Sequence, residues 1–339
     1  MDECQISTTA KVAFLSNPGN YPESAGRVDV VETHMAWVFM VEKYVYKLKK
    51  PVRYPYLDFS SIALREFYCH EEVRLNQRLA PGVYLGVVPL TCNRRGLAID
   101  GKGSIVDWLV RMRRLPRRQM LDWMLRDGQL GACHLRRLAH LLAEFHGSCQ
   151  SLPFSGEAYR QRYRNDIERN LEALQGLRSA LGGVDYRSLG ESQLSFLEHR
   201  SDWFDARARE GNVIEAHGDL RPQHICFPDE KPLIIDCLEF NPDLRILDKA
   251  DETAYLAMEC AWLGYSEAGK EFLAYFEQCS KDHVPFPLRA FYMAYRASLR
   301  ARLLLSRLRE IEPARWSRWQ QRAYRYLDLA KRYTRALSG

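Results

Sequence analysis

The chain has 339 residues, of which 46% are hydrophobic and 27% charged, ordinary proportions for a globular protein with room for two lobes or two modest domains. Its net charge of +6 suits an anionic ligand but is too small to argue for nucleic acid. Nine scattered cysteines, an odd number with no C-x-x-C pair, argue against a disulfide framework and for a reduced, cytoplasmic chain. The acidic Met1-Asp2-Glu3-Cys4 start lacks an apolar signal core. No apolar run approaches a membrane span, and no repeat or low-complexity segment stands out.

In chain order, residues 1–27 carry the turn signals Asn17-Pro18-Gly19-Asn20 and Tyr21-Pro22 and read as a loosely packed lead-in. Val28–His34, Trp37–Val41 and Tyr44–Lys49 read as strands of an antiparallel meander. Period two puts Val45, Lys47 and Lys49 on one face of the third strand, and Tyr44, Tyr46 and Leu48 on the other. By itself the run Lys47, Lys49, Lys50 is a solvated edge. A helix over Ser61–Leu79 changes that reading. Its Glu72 turns toward the apolar side formed by Leu64, Tyr68, Val73, Leu75 and Leu79. A carboxylate facing inward wants a cation, and Lys47 is the candidate; Asn76 or Tyr68 as ordinary helix-surface partners are the alternative.

Val83–Val88, Leu97–Ile99 and Ser104–Val110 complete a β-rich first part, around a Gly101-Lys102-Gly103 turn. The basic stretch Met112–Arg118 reads as a solvated face, with contact to a phosphate-bearing or acidic substrate as the alternative. Beyond it the pattern is helical. Leu135, Leu138, Ala139, Leu142 and Phe145 share one helix face, and Tyr159–Leu181 and Leu194–Arg209 are separated at Gly182-Gly183. Phe291–Arg309 and Ala314–Leu337 are arginine-rich helices, with Trp316 and Trp319 expected as a core stripe. Arginines on amphipathic helices are commonly solvated, so they do not argue for RNA.

The chemistry concentrates in residues 214–241. Asp219 follows His217 and Gly218, and Asp236 closes the apolar run Leu233-Ile234-Ile235 beyond a Pro228-Asp229-Glu230-Lys231 turn. An acid that orients a hydroxyl and a second that holds a divalent cation are what phosphoryl transfer needs. His217-Gly218-Asp219-Leu220-Arg221-Pro222-Gln223-His224, followed by Ile234-Ile235-Asp236, resembles the catalytic and metal-binding loops of the aminoglycoside phosphotransferase family, within the protein-kinase-like superfamily. The stretch from Tyr46 to Pro81 resembles an uncharacterised bacterial branch of it.

The resemblance implies an α+β, bilobal fold. A lead-in over 1–27 precedes a small antiparallel β-rich N-lobe over 28–112, which binds nucleotide, and a large, mainly helical C-lobe over 113–339. It implies an ATP- and Mg²⁺-dependent phosphotransferase acting on a hydroxyl of a small molecule. Lys47 would hold phosphates and Glu72 would position it. Asp219 would act as base, Arg221 would approach the transferred group, and Asp236 would bind Mg²⁺ with Glu239 as a possible auxiliary. The resemblance puts His34 in a nucleotide-covering loop that has no G-x-G-x-x-G. Where the family usually has a metal-binding Asn, this chain has His224. His224 can ligate metal, hydrogen-bond Asp219, or be structural while one metal site is lost. Asp248 reads as a helix N-cap, with Asp251 and Glu252 in the first turn. Two other readings stand beside the enzyme: a nucleotide-binding pseudo-kinase, motivated by His224, and a metal-dependent hydrolase built on His217, Asp219, His224 and Asp236.

Overall fold

A computed structural model describes residues 6–23, 26–176, 185–309, 312 and 316–337. The Met1–Cys4 stretch, the Gly182-Gly183 break, the end of the Tyr159–Leu181 helix and the start of the Ala314–Leu337 helix lie outside the described residues. In chain order the elements begin with α1 (Thr8–Leu15), β1 (Val28–Glu32), β2 (Ala36–Val41), β3 (Tyr44–Lys49), β4 (Arg53–Tyr54), β5 (Leu57–Asp58), α2 (Ile62–Asn76), β6 (Tyr84–Asn93), β7 (Gly96–Ile99) and β8 (Ser104–Arg113). There follow α3 (Leu121–Arg126), α4 (Ala132–Ser148), α5 (Gly156–Gln175), α6 (Tyr186–His199), α7 (Ser201–Arg209), β9 (Val213–Glu215), β10 (Ile225–Cys226), β11 (Leu233–Ile234) and β12 (Ile246–Asp248). The chain closes with α8 (Lys249–Leu263), α9 (Ser266–Ser280), α10 (Phe286–Ser306) and α11 (Trp316–Thr334). By packing, these elements form two units. The first holds residues up to Gln119 together with Cys226–Asp229 and Leu233–Leu244; the second holds the rest.

The first unit is built on a six-stranded antiparallel sheet in the order β1-β2-β3-β8-β6-β7. The pleat divides β3 as its alternation dictates. Tyr46 and Leu48 pack with Leu15, Phe39, Val41, Leu90 and Leu109 on one face. Val45 packs on the other with Cys69, Val73, Val110 and Met112, which brings α2 over the face that carries Lys47 and Lys49. Ser61 caps α2, its hydroxyl accepting from Leu64 N–H at 3.2 Å.

The described part of the lead-in is tied to the sheet through Lys11 and Leu15. Residues 8–15 form α1, and Leu15 is fully buried in the sheet core. Lys11 donates to Asp107 Oδ2 and to the Val106 carbonyl, both at 2.7 Å. Asp107 also takes both forks of Arg65 from α2, at 2.8 and 3.0 Å. An ammonium buried in a helix hides the apolar pattern that would announce it, and its partner lies far along the chain.

In the second unit, α8 is buried along most of its length. Its buried acids are individually matched. Asp248 caps the helix through Ala250 N–H and is held by Arg207, while Asp251 takes both forks of Arg296 at 2.6 Å. Phe291 of α10 packs edge-on to Phe204 of α7 and stacks on Phe196 of α6, with ring centroids 5.0 and 5.6 Å apart. Trp316 and Trp319 are not a core stripe; both are half-buried, and Trp319 lies under the guanidinium groups of Arg307 and Arg322. No helix among the described residues is long and apolar enough to cross a membrane.

Candidate functional site

The first unit concentrates charge on the Lys47 face of β3. Lys47 Nζ donates to Glu72 Oε1 at 2.8 Å and to Asp236 Oδ1 at 3.1 Å. The other oxygen of Glu72 takes Lys49 Nζ at 2.5 Å, and Lys49 also pairs with Glu239. Glu72 therefore bridges two lysines that are two residues apart on one strand. Burial works against the Lys47 ammonium, but Asp236, Glu72 and Glu239 outweigh it and hold its pKa well above the ordinary range. Burial likewise opposes the Glu72 charge, and Lys47 and Lys49 overcome that and keep its carboxyl below the usual value. For Glu239 burial wins, and its pKa is raised despite Lys49. Asp236 is the accessible member: its side chain is 47% exposed, against 1% for Glu72.

Asp236 is delivered by backbone strain. Its φ is +65°, a left-handed conformation that costs a side-chain-bearing residue on the order of 1 kcal/mol. Neighbouring bonds hold it there. Asp236 N–H donates to the Tyr84 hydroxyl at 3.1 Å, and Cys237 N–H to Asn76 Oδ1 at 2.9 Å. Ile234 N–H donates to the Leu79 carbonyl at 3.1 Å. Asn76 itself donates to the Glu72 carbonyl at 2.8 Å, so one buried amide ties the Asp236 segment to the helix that carries Glu72.

In the second unit, β9 pairs antiparallel with β12 and leads into the His217–His224 loop. Gly218 has φ +86°, where a Cβ would be strained. The loop hangs on Glu252 of α8: its Oε1 accepts from both His217 N–H and Gly218 N–H at 2.8 Å. Oε2 accepts from His146 Nε2 of α4 at 2.8 Å. Burial opposes this charge, yet the His146 bond and charge, with His217 and the Gly218 N–H, bring the Glu252 pKa down to about 2.

Asp219 emerges from that anchored turn. Its Oδ1 accepts from the Tyr255 hydroxyl at 2.9 Å and its Oδ2 from Arg221 at 2.7 Å. His224 Nδ1 donates to the Asp219 carbonyl oxygen at 2.9 Å. That assigns the proton to Nδ1 and leaves Nε2 to accept from Arg221 at 3.0 Å. Both ring nitrogens of His224 are thus engaged within the loop. The His224 Nδ1 to Asp219 Oδ2 distance is 3.6 Å.

Of the residues singled out in the sequence, Lys47, Glu72 and Asp236 meet in the first unit, and Asp219, Arg221 and His224 in the second. His34 lies in the β1–β2 turn, stacked on Tyr54 with centroids 4.6 Å apart. Glu239 pairs with Lys49. Sequence reasoning missed Lys49, Asn76, Tyr84, His146, Glu252 and Tyr255 as parts of these networks. Lys49 was legible by period two; Glu252 was visible only as a first-turn acid.

No protein-family model matches this chain. Uncharacterised proteins of Mycobacterium tuberculosis and Mycobacterium bovis are each 34% identical to it over 291 residues, covering 84% of this chain and 56% of theirs. The chain thus spans about half the length of the curated relatives it matches. Among solved structures, the GDP and kanamycin complex of APH(2")-IIIa is similar at 18% identity with a TM-score of 0.52, covering 95% of this chain and 98% of that one. A choline/ethanolamine kinase family protein from Mesorhizobium loti is similar at 14% identity with a TM-score of 0.51, covering 96% and 98%. LicA in complex with AMP is similar at 16% identity with a TM-score of 0.52, covering 96% and 100%.

Proposed function

For a chain with the protein-kinase-like fold, in the form taken by aminoglycoside phosphotransferases and choline/ethanolamine kinases, we propose that it moves the γ-phosphoryl group of ATP to a hydroxyl of a small molecule. The observation that carries this reading is the Lys47–Glu72–Asp236 network. A lysine fixed on a strand, clamped by a buried helix glutamate and touching a half-exposed aspartate, is preorganised to receive phosphates. When phosphates arrive, the Lys47 ammonium exchanges its contact with Asp236 for phosphate oxygens, and Glu72 keeps its position. Asp236 fits Mg²⁺, which takes one or two carboxylates and completes its shell with phosphates and water. Mg²⁺ would neutralise charge on the phosphates, and Asp236 would hold it.

Asp219 orients the acceptor hydroxyl and receives its proton as the oxygen attacks the γ-phosphorus. The bond from that phosphorus to the β–γ bridging oxygen breaks, and ADP leaves with the electron pair. Tyr255 and Arg221 fix the two oxygens of Asp219, and Arg221 is the cation that would approach the transferred group. His224 positions this loop through both ring nitrogens. The purified chain with ATP, Mg²⁺ and a panel of hydroxylated metabolites should release phosphorylated product. Asp219→Asn should abolish it; product formation that survives the substitution overturns the role of Asp219.

One observation favours a second reading, a nucleotide-binding module without turnover: His224 stands in place of the usual metal-binding Asn, and its ring is committed to the loop. Stabilisation by nucleotide that is indifferent to Mg²⁺, with no product, would select it. The hydrolase reading has less to build on. Among the described residues, no group of three or more His, Cys, Asp or Glu side chains is arranged to hold a metal ion.

A further inference from the structure

The surroundings of Asp219 in the second unit hold more positive charge than transfer alone requires. Tyr255, which donates to Asp219, lies in the field of Arg221 and Arg300 as well as of Asp219 and Glu259. Arg300 of α10 has its Nε 3.3 Å from Glu259 Oε1. That oxygen already accepts from the Tyr326 hydroxyl at 2.7 Å. Beyond Tyr326 on α11, Arg322 and Arg318 extend the cluster. The neighbourhood therefore sets four guanidinium groups, Arg221, Arg300, Arg318 and Arg322, against two carboxylates, Asp219 and Glu259.

Asp219 pairs with Arg221 and Glu259 with Arg300, and three observations show that this leaves positive charge in excess. The Nε–H groups of Arg221 and Arg300 are buried and have no hydrogen-bond acceptor, although their side chains are only 16% and 15% exposed. Arg318 and Arg322 form no ion pair among the described residues. Burial, with Arg300 and Arg318, pushes the Arg322 guanidinium below the ordinary arginine range, although Tyr326 and Glu259 pull the other way. Arg322 is held by rings instead, 5.3 Å from the centroid of Trp262 and 5.7 Å from that of Trp319. Two orphaned Nε–H donors next to Asp219 and Glu259, with Arg322 and Arg318 adjoining Arg300, describe a site suited to an anion. A cationic acceptor would meet four arginines, and Glu259, the acid beyond the base itself, is occupied by Tyr326 and Arg300.

We propose that the acceptor is a small anionic hydroxy compound, carrying a phosphate or carboxylate group, and that Arg300 and Arg322 bind that group while Asp219 faces its hydroxyl. This rests on the reading of Asp219 as the base. Calorimetric titration of the full chain without nucleotide tests it, with glycerol 3-phosphate and D-glycerate as anions, glycerol as the neutral control, and choline and kanamycin as cations. At least one anion should bind, and the cations and glycerol should not. Arg300→Gln and Arg322→Gln should each weaken anion binding tenfold or more, and Arg300→Lys should restore part of it. Thermal melting of each variant separates loss of fold from loss of site, and Arg322, half-buried and unpaired, is the safer substitution. Binding of choline or kanamycin, absence of anion binding, or unchanged affinity in Arg322→Gln overturns the proposal. A parallel titration with Mg²⁺ and a non-hydrolysable ATP analogue keeps the two readings apart. Normal nucleotide binding without anion binding sinks the acceptor class alone. Absence of nucleotide binding sinks the phosphotransferase reading. If Arg300→Gln weakens nucleotide as much as anion, the arginines serve the nucleotide and the proposal falls.

Discussion

Replacing Glu252 by Gln tests how the His217–His224 loop is held. The carboxylate accepts two backbone N–H groups, from His217 and Gly218, and faces His146 Nε2. The amide keeps an oxygen for the two N–H groups but loses the charge, and it meets His146 with a donor. Lowering the Glu252 pKa from the ordinary 4.5 to about 2 corresponds to roughly 3 kcal/mol of stability at neutral pH. The group is buried, so little of this is lost to solvent screening. Hydrogen exchange reads the loop directly. If exchange reports equilibrium opening, the His217 and Gly218 amides should exchange about 10²-fold faster in Glu252→Gln at pH 7, since about 1.4 kcal/mol is a factor of ten. The sign with pH follows from a depressed carboxyl. The advantage of the native residue is fully present above about 4.5 and disappears as pH falls toward 2. Equal protection in the two proteins, or a gap that widens on acidification, refutes the argument.

Lys49→Met should deprive buried Glu239 of its Lys49 partner and strip Glu72 of one of two lysines, costing about 3–5 kcal/mol in denaturant titration. Adding Glu239→Gln should recover part of that loss, and a cost below about 1 kcal/mol would contradict the buried network. Asn76→Ala should cost about 1–3 kcal/mol by removing the buried Asn76 acceptor of Cys237 N–H, and should weaken Mg²⁺-dependent nucleotide binding because the Asp236 segment loses one of its supports. Unchanged nucleotide affinity in a destabilised Asn76→Ala protein would confine Asn76 to folding.

What could be read from sequence had short-range periodicity behind it. The alternation of Tyr44–Lys49 fixed which side chains share a face, and the structure has β3 over those same residues. The helix period turned Glu72 inward, and a buried carboxylate demanded a cation that the strand supplied. Asp248 was readable as a cap because an acid before Lys249-Ala250-Asp251-Glu252 is a local signal. What stayed hidden depends on pairs far apart in the chain. Lys11 is buried only because Asp107 meets it, so α1 lacked an apolar stripe and passed for a loose lead-in. Glu252 reaches the His217 loop only because β9 and β12 pair, and neither strand exceeds three residues. The Trp316 and Trp319 spacing suggested a core, but arginine stacking satisfies Trp319 at the surface equally well.

The most direct test pairs two substitutions in one titration of a non-hydrolysable ATP analogue with and without Mg²⁺, followed by turnover with ATP and the acceptor panel. Lys47→Ala should lose nucleotide affinity tenfold or more, whereas Asp219→Asn should bind nucleotide like the native chain and form no product. Native affinity in Lys47→Ala, or product from Asp219→Asn, would contradict the division of labour between nucleotide binding and proton acceptance on which the phosphotransferase account stands.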